Sequence, residues 1–321
     1  MKISFLDRFF KKYPIIIVIK IGSPRAKALQ TKFLNKMKII EQLNNSVIIE
    51  FDHADMDGIT VIQHLLFADQ GEDDSTLLEL KTLYPSRSQK TEDTQESCFN
   101  YYNLVKYAPS FSFISTMNHL KTTYKEPFFK YPNSRIECFS KELSLSKLQE
   151  LYRGLKDKLS TLKFSTFLCA LQCQIFQECT EASFLKLQIL HYLPMIEGNN
   201  KIFPDNMILS FDKKKEITLF SIAEQIHNKR KSVIKIYNIW KNYAFFTKWG
   251  SIPNNIPMFD VSFSSIPFLT DFESFEFLKK SLQFEKCSVL CISNKKDRIF
   301  FCVCVDNSLS DIKQFYERVK I

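Results

Sequence analysis

The residues with the plainest chemical potential lie in one stretch, Phe51-Asp52-His53-Ala54-Asp55-Met56-Asp57-Gly58-Ile59-Thr60. An imidazole and two carboxylates occupy alternate positions, 53, 55 and 57, with Asp52 beside them. Alternate positions of an extended chain share a face, so His53, Asp55 and Asp57 can converge on one divalent cation. Gly58 lets the chain turn after them. The plainer reading is a polar strand-to-helix turn, with Asp57 near a helix N-terminus where a carboxylate is favoured.

The same stretch resembles the first motif of the DHH phosphoesterases, in which a strand ends in a metal loop. That resemblance covers about fifteen residues and implies His53, Asp55 and Asp57 as ligands. The rest of that family's pattern is missing. It requires adjacent histidines, and His53, His64, His119, His191 and His227 are all isolated. The expectation is no bound metal and no cofactor, with His53, Asp55 and Asp57 as the alternative metal set.

Glycine sets the widest exclusion. The chain has 6 in 321 residues, whereas about 7% usage would supply roughly three times as many. Gly22, Gly58, Gly71, Gly154, Gly198 and Gly250 are all well separated. Walker A loops, Rossmann fingerprints, kinase glycine loops and GxSxG elbows need clustered glycines. Gly22-Ser23-Pro24-Arg25-Ala26-Lys27 sits where a P-loop would sit, but it lacks the glycine before the lysine, and Ala28 follows that lysine.

The 9 cysteines carry no disulfide-like or zinc-like spacing. Cys287, Cys291, Cys302 and Cys304 lie within apolar strand-like runs and read as packed thiols. If Asn294 pairs with Asp297, Cys287 faces Cys304 across a hairpin. Cys169 and Cys173 continue a helical stripe of leucines and read as core.

The formal charge is +9 and unevenly spread. Lys213, Lys214, Lys215, Lys229, Arg230, Lys231, Lys235, Lys241 and Lys248 stand against Glu216 and Glu224, so this segment alone nets +7. Both tryptophans, Trp240 and Trp249, fall in or beside it. Cations and aromatic faces suit an acidic protein surface or nucleic acid. The expected binding set is Lys213, Lys214, Lys215, Lys229, Arg230, Lys231, Lys235, Trp240 and Trp249.

These residues must be positioned by a mixed α/β (α+β) fold. Tyr13–Ile21 and Ser46–Phe51 read as buried strands, with a helix over Arg25–Leu43 between them and another at Ile59–Ala68. That is a βαβ-type opening with parallel strands. Gln70–Ser97 reads as a polar loop, with acids in excess over Gly71–Ser97. A strand is expected at Arg135–Phe139. A helix opens at Ser146, with Gln149 completing a capping box, and its stripe runs on to Phe176. Ala182–Leu193 reads as a second helix, giving a central helical hairpin. Met207–Phe211 and Phe259–Phe263 read as strands and Ile217–Asn228 as a helix. The end reads as helix Thr270–Phe284, hairpin Cys287–Ser293 with Arg298–Val305, and helix Ser308–Val319.

Two domains are expected, 1–125 with the acidic loop 70–97, and 126–321 with the basic segment 213–248. The absence of a signal peptide, the scattered thiols and the lack of a membrane span point to an intracellular protein, nuclear or cytoplasmic. The functional expectation is a non-catalytic subunit of a multiprotein complex. Its partners would be other subunits, with nucleic acid as a candidate partner. The alternatives are a divergent phosphoesterase using Asp52, Asp55 and Asp57, or a nucleic-acid-binding factor using 213–248.

Overall fold

The computed structural model describes residues 15–22, 37–43, 45–53, 136–192, 202–212, 216–230, 259–267, 272–280, 282, 285–293, 297–309 and 311–318. The described chain is mixed α/β, as expected. Its strands are β1 (Ile16–Gly22), β2 (Met37–Leu43), β3 (Ser46–Asp52), β4 (Ile136–Ser144), β5 (Phe184–Tyr192), β6 (Ile202–Ser210), β7 (Phe259–Pro267), β8 (Ser274–Lys279), β9 (Glu285–Ser293) and β10 (Arg298–Asp306). Its helices are α1 (Leu145–Lys156), α2 (Phe164–Thr180), α3 (Leu219–Lys229) and α4 (Asp311–Arg318), with a 3₁₀ turn at Asn307–Leu309.

The strands form two sheets, a four-stranded one in the order β2-β3-β1-β8 and a six-stranded one in the order β4-β10-β9-β7-β5-β6. Helices cover one face of the larger sheet, where Phe167, Cys169 and Cys173 of α2, Ile222 of α3 and Tyr316 of α4 pack on Leu187, Val261, Cys287 and Phe301. The smaller sheet covers the other face. Ile17, Ile19, Ile49, Phe51, Phe275 and Phe277 pack there against Leu290, Ile292, Phe300, Cys302 and Cys304. This sandwich explains the burial patterns. β3, and β1 up to Ile21, alternate between buried and half-buried positions, because only one face is covered. β9 and β10 are buried almost throughout, because both faces are covered.

The parallel βαβ opening is corrected. β1 and β3 are antiparallel. Residues 37–43 are a strand in place of the C-terminal end of the expected helix, and β2 returns on β3 as a hairpin. Leu43 stands opposite Ser46, the spacing of a two-residue hairpin connection. Parallel pairs do occur, but in the larger sheet, between β5 and β7 and between β7 and β9. The remainder of that helix, Ile59–Ala68, the loop 70–97 and the 125/126 boundary lie outside the described residues. β8, from late in the chain, completes the sheet begun by β1–β3.

Two other expected helices are strands. Ala182–Leu193 contains β5, where Leu185, Leu187 and Ile189 are buried at every second position. Glu181, in the left-handed region at φ 49°, has already ended α2. The helical hairpin is therefore α1 with α2, joined by residues 157–163, and the Tyr152 hydroxyl donates to the Leu162 carbonyl at 2.6 Å across that link. Thr270–Phe284 contains β8, whose Phe275 and Phe277 alternate inward. Period 2 over a few residues outweighs an end-of-helix signature that has no long apolar stripe behind it.

The N-cap of α1 is Ser144, not Ser146. Ser146 instead meets Asp297 from the β9–β10 connection. Its backbone N–H donates to Asp297 Oδ1 at 2.7 Å and its hydroxyl to Oδ2 at 2.8 Å, while Ser144 Oγ donates to the same carboxylate at 3.1 Å. Asp297 sits at φ 57°, where asparagine and aspartate are tolerated best after glycine. The Ser146 hydroxyl, then Ser144 and the Ser146 amide, hold its carboxyl below the ordinary value. A depressed folded pKa stabilises at pH above the unfolded carboxylate value, and that contribution is lost as pH falls through the folded one. Asp297→Ala should therefore lower the thermal midpoint at neutral pH. The gap to the wild type should narrow in acid, as a pH series of melts would show, leaving the pH-independent cost of alanine at φ 57°.

Gly22 is a strand residue rather than part of a phosphate loop. It lies opposite both Ser46 and Ser274, and its carbonyl accepts from the Glu273 N–H at 2.6 Å. A Cβ there would run into the Ser274 hydroxyl, a rotatable group, while the nearest backbone atom, Ser274 N, lies at 3.4 Å. Gly22→Ala is expected to change stability by less than about 1 kcal/mol in urea, the serine turning aside and the stiffer unfolded chain offsetting the crowding.

Candidate functional site

The strand registers bring one set of polar groups to a single end of the sandwich. β3 ends at Asp52, opposite Ile16. The backbone N–H of His53, just beyond, donates to the Ile15 carbonyl at 3.0 Å. On the other side of β1 the Lys280 N–H donates to the Ile16 carbonyl at 3.1 Å, as β8 ends. His53 and Lys280 therefore flank the start of β1 on adjacent strands, about 10 Å apart at two strand spacings. By position, Lys279 continues the inward series Phe275, Phe277, and His53 is the half-buried turn residue that follows β3.

The facing sheet contributes from the same end. Cys304 Sγ lies 3.6 Å from the Phe277 carbonyl, which levels β10 with the last turn of β8. Cys138 stands directly opposite Cys304. Lys279 Nζ pairs with Glu285 Oε1 of β9 at 2.5 Å, with side-chain exposures of only 11% and 6%. At the rim, Lys280 Nζ pairs with Glu50 Oε2 at 2.5 Å. The two sheets close on a packed core of phenylalanines and isoleucines. At this end of the sandwich stand His53, the Lys279–Glu285 ion pair and the thiols of Cys138 and Cys304.

Of the expected metal alternative, only His53 is described, along with the neighbouring Asp52. Asp55 and Asp57 lie outside the described residues. Among the described residues no group of three His, Cys, Asp or Glu side chains could hold a metal ion.

The four hairpin cysteines do not converge. The register pairs Cys287 with Val305 and Cys302 with Leu290. This is one residue away from the expected pairing of Cys287 with Cys304. A one-residue slip exchanges faces. Cys287 and Cys291 lie under the helices, whereas Cys302 and Cys304 lie between the sheets. All four are buried thiols. Burial is the main cause pushing Cys287, Cys291 and Cys302 far above the ordinary thiol range.

Of the basic set, Lys229 and Arg230 are described. Lys213, Lys214, Lys215, Lys231, Lys235, Trp240 and Trp249 lie outside the described residues. Lys229 is exposed at the end of α3, and its ammonium donates to the Ile208 carbonyl at 2.7 Å. Arg230 turns inward, and its guanidinium donates to Thr166 Oγ1 at 2.7 Å. Burial pulls its pKa down. Both belong to the helical side of the larger sheet, across that sheet from His53. Sequence reasoning missed Lys279, Glu285 and Cys138. The alternation Ser-Phe-Glu-Phe-Leu-Lys would have placed Lys279 on an inward strand position. Nothing local signals its partner on β9.

No protein-family model matches the sequence, and no curated protein does. The fold does match solved structures over nearly the whole chain. A starter condensation domain of rhizomide synthetase, a doubly substituted variant in complex with C8-CoA and Leu-SNAC, matches at TM-score 0.56 and 10% identity, covering 98% of this chain and 92% of that one. Polyketide synthase associated protein 5 from Mycobacterium tuberculosis matches at TM-score 0.56 and 10% identity, covering 98% and 96%. The epimerization domain from the third module of tyrocidine synthetase B matches at TM-score 0.50 and 10% identity, covering 98% and 94%. At this identity the likeness is one of fold.

These neighbours, condensation and epimerization domains of synthetases, overturn the expectation of a non-catalytic scaffold subunit of a nuclear complex. The phosphoesterase and nucleic-acid-binding alternatives fall with it. The error has a physical source. Missing glycine loops exclude chemistry that cradles phosphates on backbone amides. They say nothing against chemistry carried by side chains alone. Among the described residues no helix is long and apolar enough to cross a membrane.

Proposed function

We propose that this chain catalyses acyl transfer from a thioester to an amine or hydroxyl, with His53 as the general base. The observation that carries this is the position of His53, a half-buried imidazole just beyond β3 at one end of a two-sheet sandwich, in a fold shared with condensation domains. One such domain was described with C8-CoA and Leu-SNAC, an acyl thioester and an aminoacyl thioester. The imidazole takes the proton from the attacking N–H or O–H as the nucleophile adds to the thioester carbonyl. When the tetrahedral adduct collapses, the C–S bond breaks and the imidazolium returns that proton to the leaving thiolate. Water competes poorly where the nucleophile is held.

The test is thiol release from acyl-CoAs, acetyl to palmitoyl, with and without a panel of amines and alcohols. Acceptor-dependent release with a matching product mass is expected. Release that no acceptor stimulates would reject the reading.

The same proposal gives the basic segment a task. Lys213, Lys214, Lys215, Lys229, Lys231 and Lys235, with Trp240 and Trp249, would dock an acidic protein that delivers the acyl thioester. The net charge of +7 over 213–248 supports this. Arg230 is left out because it is bonded within the fold. Joint substitution Lys213→Glu, Lys214→Glu and Lys215→Glu should raise KM for an acyl group presented on an acidic carrier protein. It should leave KM for the same group on free CoA unchanged, and the effect should shrink at high salt. An equal rise for both donors would argue against a protein-docking role.

A further inference from the structure

Among the described residues, eight cysteines are present as free thiols, and seven of them behave as core or near-core groups. Cys169 and Cys173 are buried in α2. Cys287, Cys291 and Cys302 are buried in β9 and β10. Cys179 is pushed up to about 11, mainly by burial. Cys138 differs. It is partly exposed on β4, the edge strand of the larger sheet. It stands directly opposite the fully buried Cys304 of β10. Both belong to the face between the sheets, where Cys138 packs against the cluster that contains Cys304.

From this arrangement we propose that Cys138 and Cys304 form an oxidisable dithiol, closing to an intramolecular disulfide in the presence of a peroxide. Opposed residues of an antiparallel pair have Cα atoms about 4.5 or about 5.5 Å apart. Both spacings fall within the roughly 4.4–6.8 Å that a disulfide spans. The backbone therefore need not move to admit the bond.

The division of labour follows from the surroundings. The neighbouring Cys304 thiol, with help from the Lys279 amide and ammonium, holds Cys138 down at about 7, against burial and the nearby Glu137. Cys304 keeps its proton, raised by its Cys138 neighbour and by burial. Cys138 is therefore the thiolate that attacks first. Its sulfur takes one peroxide oxygen as the O–O bond breaks, giving a sulfenic acid and hydroxide, which takes up a proton to become water. Cys304 then attacks the sulfenic sulfur. The S–O bond breaks, the thiol proton leaves with the hydroxide as a second water, and the S–S bond forms. Two thiols and one peroxide thus give one disulfide and two waters.

The closed bond would tie the edge strand β4 to its neighbour β10 at the end of the sandwich where β3 and His53 lie. This proposal stands on the thiol geometry and does not depend on acyl transfer.

The experiment is peptide mapping of the full chain without reductant, before and after stoichiometric hydrogen peroxide. The expected result is a cross-link between the peptides carrying Cys138 and Cys304, reversed by dithiothreitol and absent in Cys138→Ser and Cys304→Ala. Cys291→Ser should retain it. In the unoxidised wild type, iodoacetamide at pH 7 should modify Cys138 about tenfold faster than any other described cysteine. A cross-link to a different cysteine, including Cys98, would overturn the proposal. So would oxidation of Cys138 to sulfinic acid while Cys304 stays free. Because the wild-type map alone decides between these results, a poorly folding variant cannot rescue the idea.

Discussion

His53→Ala is expected to lower acceptor-dependent acyl transfer by about 10²–10⁴-fold, the usual contribution of a positioned acid–base group. The protein should stay folded. One contact at this position is the backbone N–H of His53 on the Ile15 carbonyl, which any residue can make. The loss should appear in kcat, with KM for the acyl donor little changed, because proton abstraction belongs to the transition state rather than to donor binding. Wild-type activity should fall on the acid side as the imidazole takes up its proton. His53→Ala should lose that limb of the profile and keep its circular dichroism spectrum and urea midpoint. If the variant retains wild-type kcat, the base lies elsewhere and the assignment is wrong.

Lys279→Ala is expected to destabilise the fold by about 3–5 kcal/mol, because it strands the Glu285 carboxylate in the interior. The pair is 2.5 Å apart with both side chains largely buried, and the Lys279 ammonium also lies 6.0 Å from the centre of the Phe277 ring. Removing either partner leaves a desolvated charge, so Glu285→Ala should cost a similar amount. Replacing both, as Lys279→Met with Glu285→Leu, should recover most of the loss, since well-packed apolar pairs often match a buried ion pair. Urea unfolding of the two single variants and the double closes the cycle. A single-variant cost below about 1 kcal/mol, the range of solvated surface pairs, would show that water reaches the pair. Lys279→Ala should also slow alkylation of Cys138, because the ammonium helps hold that sulfur as thiolate.

Much of the local structure was legible in the chain. Apolar runs marked β1, β3, β9 and β10, and the periodic stripes marked α1, α3 and α4. The alternating strands β5 and β8 were equally legible, but competing helix-end signatures obscured them. The candidate site was legible in one part only. The turn after β3 marked His53 as chemically capable, since an imidazole beyond a buried strand is exposed to whatever the strand faces. Composition excluded phosphate-cradling loops for the same kind of local reason, because those loops require glycine at fixed spacing.

What faces His53 was decided by tertiary structure. Strand polarity, the completion of the first sheet by β8 and the stacking of two sheets bring Lys279, Glu285, Cys138 and Cys304 to one end, from positions far apart in sequence. A one-residue register separates the hairpin cysteines onto two faces and sets Cys304 against Cys138. Register and stacking depend on burying two apolar faces at once, and that total is a property of all the strands together. No window of sequence contains it, so the chain alone indicates a reactive group and leaves its surroundings to the fold.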